Sequence, residues 1–459
     1  MKRMLHSFIC AFIAVSLFFS TPVDAGPAED YQEARLLYLT IAASIAAYPG
    51  GDSDIVMSIM RRDGWEMVSD IQRNEAAPAR ILFAQKEIPG TSTSYLLAIA
   101  GTTTLKDLEL DLKFGKVFFA GKTVEEFEEN SEKKPKFPDQ VPMVHKGFHQ
   151  YTQSIFSAEI KIADLLLAHP DRSMYLTGHS AGGSAAILLG ARLIDMGVRP
   201  EQLKIVTFGA PPVGNAVFAE KYSPILDLRR VEVKGDVIPN LLKIFVRGYR
   251  QFGREILWTA SGLTFDAKHY PNIFLDCAIK NYYDMRWAAT RSGVKEAFVL
   301  DQKPSIEGNR LYVAAIHNDL HKALAKELPY MREILLDQYR DMIPAYVIGE
   351  PNAVTPFDLQ ALRTKAAAVD CDRMVVVNIW GSKQDDPATY SGGLLTKEDR
   401  VYDLLVIEQT VIRTSDGTVL DWRTFQKGSK YFPPLSALES AAVSMSGDSA
   451  AWSGQRVVY

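Results

Sequence analysis

The sequence predicts an α/β fold: a mainly parallel central sheet covered by helices, followed by a small β-rich C-terminal unit. Three observations predict it. Between about residues 60 and 330, short apolar strands alternate with helical segments. Three of those strands end in turns of small or polar residues: RSMYLTGHS runs into the glycines after Ser180, LKIVTFG into APPVGN, and LRRVEV into GDVIP. After Arg332 the texture changes, with Pro344, Gly349, Pro351 and Pro356 marking a linker and β-rich text beyond it. At 459 residues the chain also exceeds what one core usually serves, so a large domain over residues 26–345 and a smaller unit over 346–459 are expected.

Each element has a local cause. Residues 28–47 have helical spacing and stop at Pro49, Gly50 and Gly51. WEMVSDIQ, ARILFAQKEI and SYLLAIAG read as the opening strands of the sheet. The charged, proline-bearing stretch KTVEEFEENSEKKPKFPDQ reads as a surface insertion. Residues 149–169 return to helical spacing, and 181–196 alternate small and aliphatic side chains as a packed helix does. In the last part, RMVVVNIWGS and RVYDLLVIEQTVIRTSDGTVLDW are strands, with Ser415, Asp416 and Gly417 as a hairpin turn.

Residues 1–25 have a basic start, an apolar run and small residues at Val23 and Ala25, the pattern of a secretory signal cleaved near Ala25. Export, secreted or periplasmic, is therefore expected. The net charge of −4 and the even spread of charge exclude a nucleic-acid partner as the leading reading. Cys277 and Cys371 form an even pair after the signal, and both a disulfide and two buried thiols stay open.

The chemistry centres on YLTGHSAGGSAA. A serine boxed as GxSxG by Gly178 and Gly182 is either a nucleophile on a sharp strand-to-helix elbow or part of a glycine-rich turn, and the motif alone does not decide. A serine hydroxyl needs a base, an acid that orients the base, and donors for an oxyanion. Asp236 lies where the strand LRRVEV ends, after the serine in chain order, as a triad acid should; the plain reading is a turn aspartate. The backbone N–H groups of Ala181 and of Thr102, in the loop after SYLLAIAG, are the expected oxyanion donors. For the base, His145, His149 and His169 precede the serine, and His179 stands beside it facing away. His269, His317 and His321 remain. His317 is favoured because AAIHNDLHKALAKELPYM sets it just before a helix, where an imidazole can reach inward. The pairs His145/His149 and His317/His321 have a spacing that can share a helical face, but neither has HExxH or a further ligand, so no metal or other cofactor is expected.

Five ordered blocks carry a resemblance: AIAGTTTLKDLELDL, VHKGFHQY, YLTGHSAGGSAAIL, VTFGAPPVGN and VEVKGDVIPNL. Over about residues 60–320 the chain resembles the class 3, fungal-type lipase family of the α/β-hydrolase superfamily. The resemblance implies an α/β-hydrolase fold and lipid ester hydrolysis. It assigns the nucleophile to Ser180, the acid to Asp236 and the oxyanion positions to Thr102 and Ala181. It also implies a lid helix over residues 105–112 and contact with a lipid surface. Family members usually read Phe-Arg-Gly-Thr where this chain has Ile99, Ala100, Gly101 and Thr102. The reading is thus an exported serine ester hydrolase acting on acylglycerols. A phospholipase, a short-chain esterase or a catalytically silent binding protein of the same fold are the alternatives.

Overall fold

A computed structural model describes residues 26–48, 59–60, 63–68, 80–87, 92–101, 115–157, 162–240, 248–260, 267–295, 311–320, 322–342, 346–348, 358–385, 401–428 and 433–446. The expected signal, Thr102, the expected lid segment 105–112 and His321 lie outside these residues.

The central sheet has seven strands in the order β1-β2-β3-β6-β7-β8-β9. Strands β1 (Glu66–Met67), β2 (Ile81–Glu87) and β3 (Thr93–Ile99) run antiparallel. From β3 onward, β6 (Ser173–His179), β7 (Leu203–Phe208), β8 (Leu228–Val233) and β9 (Arg254–Trp258) are parallel. The two-residue period of a strand distributes their apolar side chains to both faces, as a doubly covered sheet requires. Leu96 and Ala98 belong to one cluster, while Leu97 and Ile99 belong to the other. Each large apolar side chain so removed from water stabilises the fold by about 1.5–3 kcal/mol.

On one face, α3 (Lys146–Ser157), α4 (Ile162–Ala168) and α5 (Ala181–Asp195) close the second of these clusters through Phe148, Ile155, Leu166 and Ile187. The charged insertion between β4 (Lys116–Phe118) and β5 (Met143–His145) contains the short helix α2 (Val124–Ser131), started by a Thr123 cap and pinned by the fully buried Phe127. The helix α6 (Ala216–Tyr222) is capped by Asn215, whose amide also holds the carbonyls of Pro138 and Val141.

The opposite face carries α1 (Pro27–Ala46) and the 21-residue α7 (Pro271–Arg291), both begun by a proline at the first turn. Beyond them lie α8 (Leu328–Met342) and α10 (Pro434–Ser446), and then a second sheet. That sheet has the order β11-β10-β12-β13-β14. Here β10 (Leu311–Leu320) pairs in parallel with β11 (Tyr346–Ile348) and β12 (Arg373–Asp385). Strands β12, β13 (Val401–Arg413) and β14 (Val419–Gly428) run antiparallel, the last two joined by the turn through Asp416 and Gly417. The helix α9 (Leu359–Ala368) covers part of the outer face through Leu362 and Ala366.

Two features depart from the sequence expectation. The second sheet takes its strand β10 from residues before 346, so the unit expected to begin there draws part of its structure from upstream. The core on its inner face is also shared, because Val375, Val377, Ile379, Leu405 and Ile407 belong to one continuous cluster with Leu37, Ile41 and Ala42 of α1 and with Phe208 of the first sheet. Cys277 and Cys371 are both buried and free, which settles the alternatives left open by the sequence in favour of thiols. Burial, with Asp276 beside it, pushes the Cys277 thiol up to about 12.

Candidate active site

The site forms where parallel strands end. Strand β6 runs straight into Ser180, and α5 starts at the next residue. The turn between them is so tight that Ser180 has φ 58° and ψ −127°. A serine held at positive φ is strained, and such strain persists only where the surroundings enforce it. They do so here by close packing: a Cβ on Gly182 would lie 2.1 Å from the carbonyl oxygen of Ile99, so only glycine lets α5 approach β3. The Ser180 N–H donates to the Phe208 carbonyl at 2.8 Å, which fixes the elbow to the end of β7.

Asp236 sits in the turn after β8, where its Oδ1 accepts the Ile238 N–H at 3.0 Å. His269 ends the 3-10 turn Ala267–His269, with only Tyr270 between it and the proline that opens α7. Its Nδ1 is 2.8 Å from Asp236 Oδ2 and its Nε2 is 2.9 Å from Ser180 Oγ. A carboxylate can only accept, so Nδ1 carries the proton and Nε2 is left to accept from the serine hydroxyl. All three residues are buried, at 3 % exposure for Ser180, 6 % for Asp236 and 5 % for His269.

The structure therefore corrects the choice of histidine. His317 lies within β10, opposite Asn378 of β12 in the second sheet, and is not brought to Ser180. The criterion that favoured it, a histidine just before a helix, is met by His269 at the start of α7, where the text AKHYPNIF holds both the histidine and the helix-opening proline. Ala181 is the first residue of α5, whose dipole places partial positive charge beside the serine, while the Gly183 N–H is taken by the Ser180 carbonyl at 3.0 Å. Thr102 is not described, but its neighbour Gly101 approaches so closely that a Cβ there would lie 3.2 Å from Ser180 Cβ.

Side chains from two helical regions support this loop. The Tyr151 hydroxyl on α3 donates to the Ala100 carbonyl at 2.8 Å. Tyr48, just after α1, has its hydroxyl against Gly101, where a Cβ would lie 2.3 Å from the oxygen. His179, set aside as facing away from the serine, touches the site from behind: its Nε2 is 2.7 Å from the His269 carbonyl and its Nδ1 is 2.9 Å from the Tyr48 hydroxyl. Burial, with the His269 ring 4.7 Å away, holds its pKa well below 6.5. Elsewhere, His149 is occupied by Arg192 at 3.1 Å, and His145 Nδ1 accepts the Phe148 N–H.

Residues 96–245 match the model of the class 3 lipase family. This stretch is a class 3 lipase segment. It includes Ser180 and Asp236 and ends before His269, so the histidine rests on the geometry above. The chain is 39 % identical over 103 residues to toxin TseL of Vibrio cholerae, covering 22 % of this chain and 15 % of the toxin. It is 36 % identical over 102 residues to a lipase of Rhizopus niveus, covering 21 % of this chain and 26 % of that lipase. The solved structure of lipase II from Rhizopus niveus aligns over 51 % of this chain and 82 % of its own, at 22 % identity and a TM-score of 0.39. The chain thus spans about a third or less of the curated relatives it matches, through the class 3 lipase segment.

Proposed function

We propose that the protein hydrolyses carboxylic esters of lipids through an acyl-enzyme on Ser180. The observation that carries the reading is the buried chain Ser180 Oγ, His269, Asp236, with links of 2.9 and 2.8 Å. His269 Nε2 takes the hydroxyl proton as Ser180 Oγ attacks the ester carbonyl, and Asp236 holds the imidazolium that forms. The N–H groups of Ala181 and Thr102 receive the oxyanion. As the tetrahedral intermediate collapses, His269 returns the proton to the leaving alcohol. A water, deprotonated by the same nitrogen, then releases the acid and restores the serine.

The class 3 lipase segment supports lipid esters as substrates, with acylglycerols first. A phospholipase A1 of Arabidopsis thaliana, 33 % identical over 111 residues, supports phospholipid as the second reading. The pattern of residues 1–25 supports export with cleavage near Ala25, which N-terminal sequencing of the mature protein tests.

A fluorophosphonate ester is expected to form one adduct, on Ser180, in the folded protein and none in Ser180→Ala. An unlabelled wild-type protein would leave the silent binding protein as the better reading. Turnover of p-nitrophenyl esters of graded length, followed by triacylglycerol and phosphatidylcholine, separates the substrate classes.

A further inference from the structure

Two hydrogen bonds leave the rear of the site, and the chemistry of their atoms gives them one direction. The His269 carbonyl can only accept, so His179 Nε2, at 2.7 Å, carries a proton and donates it. Burial keeps His179 neutral, which leaves its Nδ1 without a proton, an acceptor. The group 2.9 Å from that nitrogen is the Tyr48 hydroxyl, which must then donate. The Tyr48 oxygen lies directly against Gly101, where a Cβ would come within 2.3 Å of it. The chain runs Tyr48 O–H, His179, His269 carbonyl, with Gly101 packed against the Tyr48 oxygen. It joins the loop that precedes Thr102 to the residue that serves as base, by a route that never passes through Ser180 or Asp236.

The fit around Tyr48 is close. A Cβ on Gly101 would lie 2.3 Å from the Tyr48 oxygen and 2.6 Å from the His179 carbonyl, so the loop is seated directly on the hydroxyl. Phe274 of α7 stands edge-on to the His179 ring at 5.5 Å and limits its tilt. Two halves of a serine site, the oxyanion arm and the base, are held at a common spacing by one phenol and one imidazole.

We infer that Tyr48 is a positioning residue for ester hydrolysis: acting through His179, it sets His269 and the Gly101 loop in register with each other. The inference rests on the reading of Ser180 as nucleophile. Tyr48 does not touch the reacting atoms. Its hydroxyl governs how often the base and the oxyanion donors are aligned at the same moment, a misplacement that costs on the order of 10- to 100-fold in rate.

The test separates rate from extent of labelling. In Tyr48→Phe, fluorophosphonate labelling is expected to reach one adduct per chain but at least about tenfold more slowly than in the wild type, with kcat for p-nitrophenyl butyrate falling in parallel and KM within twofold. Labelling at the wild-type rate overturns the inference. So does labelling at the wild-type rate on a reduced fraction of chains, since that is loss of folded protein rather than of alignment. If Tyr48→Phe is insoluble, His179 carries the same test. His179→Gln keeps one donor and one acceptor and is expected within about threefold of the wild type, whereas His179→Leu is expected to be at least tenfold slower; equal rates overturn the inference. A wild-type protein that is never labelled overturns the hydrolase reading itself, and is told apart from the other outcomes because the variants play no part in it.

Discussion

At the scale of single residues, the histidine decides most. His269→Ala is expected to lower turnover of a p-nitrophenyl ester by at least about 10³-fold, while His317→Ala leaves it within twofold. The reverse result would return the base to the second sheet. Ser180 and Asp236 were legible in the sequence because each ends a strand that its own apolar run announces. The histidine was not, because His317 and His269 both precede helical text and the difference between them is tertiary: one is paired into β10, the other stands on a 3-10 turn beside the loop after β8. Two other histidines set the response to acid. Burial, reinforced by the Arg192 charge, brings His149 from 6.5 down to about 3, and His179 is held well below 6.5. Both folded-state values are depressed, so the unfolded chain binds protons there that the native protein refuses. Stability is complete above about pH 6.5 and is lost as pH falls from there toward 3. Urea midpoints should drop between pH 7 and pH 5, by up to about 1.4 kcal/mol per pH unit for each histidine, and His149→Gln should reduce that slope.

At the scale of elements, α7 links the site to the rest of the molecule. It begins at Pro271, just past His269 and Tyr270, and along its length it is gripped by the helices on its far side. Asp276 accepts the Leu435 N–H at 3.0 Å in the first turn of α10, Ser436 Oγ donates to the Asn272 carbonyl, and Lys280 bridges Asp276 and Glu327. Further on, Tyr283 and Arg286 both bond Asp337 of α8. Asp276→Ala removes a buried carboxylate that caps α10 and is expected to destabilise the protein by about 2 kcal/mol, read as a shift in urea midpoint without change in its slope. A midpoint equivalent to less than roughly 0.5 kcal/mol of change, the scatter of a surface substitution, would show that the cap carries no weight. Neither α7 nor α10 was foreseen from the sequence, and the charged and polar pairs that fasten them join residues far apart in the chain and have no local signal.

For the whole molecule, the continuous core between the two sheets matters more than the boundary expected at residue 346. The strand pattern foresaw a mainly parallel sheet and a β-rich C-terminal unit, but a one-dimensional reading assigns each its own core, and only packing reveals that α1, α7, α8 and α10 lie between them. Unfolding in urea should therefore be one transition, with tryptophan fluorescence and circular dichroism coincident, and a chain ended at residue 345 should bind a hydrophobic dye and lack a cooperative melt. Two separate transitions would mean that the units fold independently. The same arrangement has a consequence in time. During synthesis Ser180, Asp236 and His269 leave the ribosome long before residues 434–446, and until those arrive the first turn of the helix that begins beside His269 lacks its bonds to Leu435 and Ser436. Every reactive group of the proposed hydrolase is thus made before the contacts that Leu435 and Ser436 give to the first turn of α7.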